Sequence, residues 1–198
     1  MIDRRSHEDA ATDVAISPAT LGRLLQLGRS RWFVPLLAAM APRGGARVAE
    51  MRHRFGLSAS MARRTLGAMV EAGWITPNPG HGHPLRPDYL LSELGRALAP
   101  HAQALVEERE LRRLPTTGLG KWHLPLLVAL GNRPTRFNTL EARLSPVTPR
   151  ALSLQLKRSV EAQTVLRIVQ PAYPPVALYR VNDQAVGLRD RAVAIAAT

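Results

Sequence analysis

The sequence predicts a mainly α-helical chain with small β hairpins, an α+β fold built twice in tandem. Three observations predict it. Apolar residues recur at helical spacing through most of the chain, and two of these stretches open on a hydroxyl-bearing cap followed by proline. A stretch of some 70 residues returns 90 residues later. In each copy the amphipathic helix capped by Ser58 or Thr148 is followed by two β-prone runs around a Pro- and Gly- or Tyr-containing tip, the pattern of a hairpin.

The repeat is read from Arg31-Trp32-Phe33-Val34-Pro35-Leu36-Leu37-Ala38-Ala39-Met40 against Lys121-Trp122-His123-Leu124-Pro125-Leu126-Leu127-Val128-Ala129-Leu130. Trp, Pro, both Leu and the second Ala coincide at a separation of 90. Further on Leu66 matches Leu156, and Glu71-Ala72 matches Glu161-Ala162. Between them Met51 and Phe55 fit Leu140 and Leu144 at 89, so one residue of slip is required. Two amphipathic segments resemble each other by chance often enough, but not with shared Trp and Pro positions. The chain therefore divides into a polar, aperiodic tail over 1–16, expected to be disordered, and two units over 17–113 and 114–198.

Taken in order, Ser17-Pro18 starts a helix that runs to Gly28 with Leu21, Leu24, Leu25 and Leu27 apolar. Trp32–Ala41 is the next helix, and Arg43-Gly44-Gly45 a turn. Val48, Met51 and Phe55 mark a support helix and Gly56-Leu57 the turn after it. Ser58 then caps a helix over 59–72. Its inward face carries Met61, Ala62, Leu66 and Met69; Ser60, Arg63, Arg64 and Gly67 face out. Gly73 stops it, Trp74-Ile75 begins a strand, and a turn-rich tip over 77–84 leads into a second strand over 86–91. Glu93–Arg113 is one long connecting helix, apolar at Leu94, Ala97, Leu98, Leu105 and Leu111, which Pro100 should kink or split. Residues 115–120 form the linker.

The second unit opens with three short helices between Lys121 and Glu161. The third starts at Thr148, whose hydroxyl accepts from free N–H groups, with Pro149 at the first helical position. Ala151, Leu152, Leu156 and Ser159 share its packed face; Arg150, Ser153, Leu154 and Lys157 share the other. A helix with a packed back and a cationic, hydroxyl-bearing front suits a DNA major groove. A hairpin over 165–181 with its tip at 172–175, and a helix over 184–197, complete the unit.

A formal charge of +12 favours a polyanionic partner. Nearly all of the positive charge is arginine, with Lys121 and Lys157 the only lysines; arginine suits bidentate phosphate and guanine contacts, although a GC-rich genome produces the same bias. There is no cysteine, which excludes disulfides and thiol redox sensing. The amino terminus lacks an apolar core, and the longest apolar run, 32–42, is too short for a bilayer. The expectation is a cytoplasmic protein, nucleoid-associated when bound to DNA. Enzyme chemistry is not expected: no phosphate loop, paired-carboxylate cluster or nucleophile–histidine motif is present. No cofactor is expected either. His81-Gly82-His83 has a metal-like spacing but no accompanying carboxylates or cysteines, so its histidines read as solvated loop residues.

WHLPLLVAL, RPTRF, SPVTPRALSLQLK and PPVALYRV, in that order, resemble the HxlR-type winged helix-turn-helix transcription regulators, relatives of the MarR class. The resemblance covers the second half of the chain closely. It implies that the hairpins are wings lying over the minor groove or phosphate backbone, which puts His81, His83 and Arg86 of the first wing and Arg167 of the second against DNA. It also implies that terminal helices which join two chains in single-copy relatives here join two halves of one chain, a pseudo-dimer. The sequence departs from the family pattern at Ser159, where leucine is usual, and at Gln163-Thr164, where glycine-leucine is usual. A buried serine there would cost ~2–4 kcal/mol unless Val160 rotates in. The first copy lacks the Pro-Arg pair at its helix start, having Ala59-Ser60.

The function expected is sequence-specific binding of double-stranded DNA by a transcription regulator, a repressor in the first instance, reading adjacent major grooves. Ser58, Ser60, Arg63, Arg64, Thr148, Arg150, Ser153 and Lys157 are the helix candidates, with His81, His83, Arg86 and Arg167 on the wings. Any one arginine alone reads equally well as a solvated charge; their recurrence on one helical face favours the group reading. The alternative is a winged-helix module that binds a partner protein, motivated by Leu154 on the outward face. A monomeric pseudo-dimer and a homodimer both remain open, and the groove between the repeats is the place for a small-molecule effector, although no polar cluster marks a pocket.

Overall fold

The structure, a computed structural model, describes residues 16–79, 88–114 and 120–198. The expected tail falls almost wholly outside these residues, as do His81, His83, Arg86 and most of the linker. In the first repeat α1 (Pro18–Leu27), α2 (Phe33–Met40), β1 (Gly45–Ala46), α3 (Val48–Phe55), α4 (Ala59–Glu71), β2 (Ile75–Pro77), β3 (Tyr89–Leu91) and α5 (Glu93–Leu111) follow in order. In the second come α6 (His123–Leu130), β4 (Thr135–Arg136), α7 (Phe137–Arg143), α8 (Pro149–Glu161), β5 (Val165–Gln170), β6 (Val176–Val181) and α9 (Val186–Ala197). Each repeat carries a three-stranded antiparallel sheet, ordered β1-β3-β2 and β4-β6-β5. The short edge strands β1 and β4 escaped the sequence reading, because two residues carry no periodicity.

Start signals act as their chemistry requires. The Ser17 hydroxyl accepts from Thr20 N at 3.1 Å, that of Ser58 from Met61 N at 3.2 Å, and that of Thr148 from Ala151 N at 3.3 Å. Gly56 ends α3 in the left-handed conformation at φ 62°.

The 90-residue spacing is a spacing of hydrogen bonds as well as of letters. Trp74 N donates to Met69 O at 3.0 Å, and Thr164 N to Ser159 O at 2.9 Å. Ser92 N donates to Trp74 O and Asn182 N to Thr164 O, both at 3.0 Å. The Ser92 hydroxyl reaches Gly73 O at 2.6 Å, and the Asn182 amide Gln163 O at 2.7 Å. Ile75 pairs with Leu91 as Val165 pairs with Val181. The slip to 89 is undone after α7, whose Ser145-Pro146 turn is one residue longer than the single Gly56 and restores the spacing of 90.

α5 packs on α2 and α9, and α9 also packs on α1 and α6, so the terminal helices of the two repeats interlock. Arg23 of α1 donates to the Ala196 carbonyl of α9 at 3.2 Å. A Cβ on Gly28 would sit 2.6 Å from the Lys121 carbonyl oxygen, so α1 lies flush against the start of the second repeat. One continuous apolar core runs through both repeats, which is how units this small reach adequate burial. One expectation about α5 needs correction: Pro100 does not split it. Its buried stripe is Gly95, Leu98, Ala99, Ala102, Leu105 and Arg109. Leu94, Ala97 and Leu111 are exposed, because the helix is gripped from two sides by α2 and α9 and its apolar set follows those contacts.

Candidate nucleic-acid interface

Both amphipathic helices present the faces that periodicity assigned. On α4, Ala62, Thr65, Leu66 and Met69 are buried and Met61 is half-buried, while Ser60, Arg63, Arg64 and Gly67 are exposed. On α8, Leu152, Gln155, Leu156 and Ser159 are buried and Ala151 is half-buried, while Arg150, Ser153, Leu154 and Lys157 are exposed. Neither outward face is packed against the other repeat. Ser58 and Thr148 spend their acceptor on capping and keep an exposed hydroxyl hydrogen to donate. Ser58 Oγ also lies 3.1 Å from Ser60 Oγ. The Arg64 guanidinium folds back on Met61 Sδ at 3.6 Å. Lys157 Nζ stands 3.9 Å from the Glu161 carboxylate, an exposed i,i+4 pair that ties the lysine only weakly.

Of the four wing candidates only Arg167 lies among the described residues. It is exposed on β5, opposite Tyr179 of β6. Arg167, Ser153, Lys157 and Tyr179 converge on a cleft of about 410 Å³ between α8 and the second wing, floored by Leu156 and Phe137. Tyr173 at that wing's tip is fully exposed and Val169 half exposed. Arg180 on β6 pairs with Asp183 at 2.6 Å, which holds the Asp183 carboxyl below its ordinary range.

The support beneath the two helices differs in chemistry. Under α4, Phe33 meets Trp74 edge to face at 5.1 Å, with Met69 buried beside them in the same core. Under α8 the Gln155 amide donates to Ser159 Oγ at 3.1 Å, and Thr164 Oγ1 donates to the Ser159 carbonyl at 3.1 Å. Because the Thr164 hydrogen is spent there, His123 Nε2 donates to Thr164 Oγ1, at 3.1 Å, and Nδ1 is the bare, buried acceptor. Burial, then the nearby Arg109 charge, pushes the His123 pKa down to about 3; burial takes Arg109 down to about 10. The corner at Ser159 is thus closed by hydrogen bonds. The Val160 side chain is half-buried and packs against the core.

A model of the HxlR-like helix-turn-helix family matches residues 27–112 and again residues 119–196. The chain belongs to the HxlR-like helix-turn-helix family. It carries two tandem copies, and the family is one of DNA-binding transcription regulators rather than of enzymes. Comparison with curated proteins and with solved structures gives no match. Among the described residues no group of side chains suits a metal ion, and no helix is long and apolar enough to cross a membrane.

Two cations escaped the sequence reading. Arg47 and Arg136 occupy the N-cap positions of α3 and α7, the first helices of the two helix-turn-helix units, and both are exposed. They are 89 residues apart, so the slipped alignment held the signal; their non-periodic positions just ahead of each helix hid it.

Proposed function

We propose that the protein is a sequence-specific regulator that occludes promoter DNA as a repressor, with α4 and α8 lying in major grooves of one duplex. The observation that carries this is the recurrence, on two separately folded helices, of an exposed Arg/Lys/Ser face over a buried apolar back. Arg63, Arg64, Arg150 and Lys157 supply base or phosphate contacts, Ser60 and Ser153 hydrogen bonds, and Ser58 and Thr148 phosphate contacts at the helix starts. Arg167 serves the second wing, with His81, His83 and Arg86 assigned to the first on the strength of sequence alone. Arg47 and Arg136 hold the backbone where each first helix crosses it. The interlocked α1, α5 and α9 support a monomer acting as a pseudo-dimer, with half-sites about one helical turn, ~34 Å, apart. The unlike outward faces favour a non-palindromic site. A cytoplasmic, nucleoid-bound protein accords with this reading.

A groove of about 490 Å³ between α1 and the end of α7, lined by Leu21, Leu25, Arg143 and Pro146, is where an apolar effector would act on both repeats. The test of the main reading is a binding-site selection on random duplexes followed by a salt titration. Steep loss of affinity is expected, with a log–log slope that falls by ~0.9 for each phosphate-contacting cation removed. Affinity indifferent to salt overturns it. A second reading, docking of a partner protein, draws on the exposed Leu154, Val169 and Tyr173. Partner capture that survives nuclease treatment, from a chain that selects no duplex, would favour it.

A further inference from the structure

Leu154 is the one large apolar side chain on either outward helix face, and it is 47% exposed in the middle of α8. Its neighbours on that face are Arg150 one turn before, Lys157 and Arg158 one turn after, and Ser153 beside it, all exposed. Nothing in the fold uses it: the buried stripe of α8 is complete with Leu152, Gln155, Leu156 and Ser159. The equivalent position on α4, 90 residues earlier, is Arg64. A leucine ringed by cations faces a polyanion, where an apolar side chain gains only if it meets an apolar surface. On the major-groove edge of a base pair the apolar group that projects for contact is the thymine 5-methyl, set among hydrogen-bond donors and acceptors.

We infer that Leu154 is a specificity-determining residue that packs on a thymine methyl in the half-site read by α8, whereas Arg63 and Arg64 make guanine-type hydrogen bonds in the half-site read by α4. The inference rests on the DNA-binding reading above and deepens it: the two heads of one chain select by different chemistry, one by a buried methyl contact and one by hydrogen bonds. Side-chain lengths suit the assignment. Arg150 and Lys157 reach past Leu154 to phosphates on either side, which sets the shorter leucine against the base edges between them.

The experiment uses the full chain and a duplex obtained by random selection with it. Each thymine is replaced in turn by deoxyuridine, which removes the methyl and leaves the pairing intact. One thymine, or two adjacent ones, in a single half-site should each weaken binding about fourfold, the factor that corresponds to ~0.8 kcal/mol for one buried methyl. 5-Methylcytosine at that place should recover part of the loss relative to cytosine. Leu154→Ala, an exposed helix substitution, should weaken binding to the thymine duplex and erase the thymine–uracil difference, while Arg64→Ala should leave that difference intact. Uridine indifference at every position overturns the inference while leaving DNA binding in place, as does a Leu154→Ala variant that still distinguishes thymine from uracil. A wild-type chain that selects no duplex overturns both.

Discussion

In the first repeat Phe33, Thr65, Met69 and Trp74 lie buried behind the outward helix; 90 residues on, the same four positions hold His123, Gln155, Ser159 and Thr164, also buried. The backbone hydrogen bonds around them are the same in the two repeats. The first interior is held by aromatic packing, which needs only shape. The second is held by donors matched to acceptors along Gln155, Ser159, Thr164 and His123, with His123 Nδ1 left bare, and it stands only while the paired groups keep their partners. Duplication preserved the frame, and the two fillings then diverged into different means of holding one geometry. The outward faces diverged as well, Arg63 and Arg64 on one and Ser153 and Leu154 on the other.

The largest test exchanges the fillings. Trp74→Thr, which places the second repeat's residue in the first, removes a fully buried indole and should cost ~3–5 kcal/mol in denaturant unfolding. A cost below ~1 kcal/mol would show that the first interior collapses freely and that the aromatic pair is not its support.

Acid should separate the repeats next. The folded His123 pKa, about 3, lies below its unfolded value of 6.5, so the unfolded chain takes up the proton first. Stability from this group is whole above pH 6.5 and falls as pH drops toward 3, by ~3 kcal/mol at pH 4. His123→Gln, which keeps a donor for Thr164 but does not titrate, should flatten that part of the stability–pH curve. An unchanged curve removes His123 as its cause.

The outward faces are compared by halves. Arg63→Ala/Arg64→Ala and Arg150→Ala/Lys157→Ala, made separately, should each weaken duplex binding roughly 30–900-fold, at ~1–2 kcal/mol for each of the two DNA-facing side chains truncated. If one pair leaves affinity unchanged in filter binding, that repeat serves only to pack. The smallest contrast is in the backbone. Gly73 ends α4 at φ 72°, and its counterpart Gln163 holds φ 56° without glycine's freedom. Gln163→Gly should therefore raise stability by up to ~1 kcal/mol, and Gly73→Gln should lower it by about the same. Equal signs for the two, read from urea midpoints, would break the equivalence of the turns.

The sequence by itself determined the repeat, the order of helices and wings and the outward faces of α4 and α8. Caps, proline positions and a 3.6-residue period are local properties that the chain carries wherever it goes. The departure at Ser159 was also legible, as an odd serine on an apolar face. Its resolution was not: the Gln155–Ser159 and Ser159–Thr164 bonds are local, but His123, which closes the network on Thr164, comes from α6, and only folding brings it within hydrogen-bond reach. The buried stripe of α5 is likewise set by the helices that clasp it from two sides, which leave the apolar Leu94, Ala97 and Leu111 exposed. The resemblance implied that terminal helices join the two halves, and tertiary structure decided how: α1, α5 and α9 interlock, and the two repeats share one core. Contacts between residues far apart in the chain depend on shape complementarity, which no local period encodes.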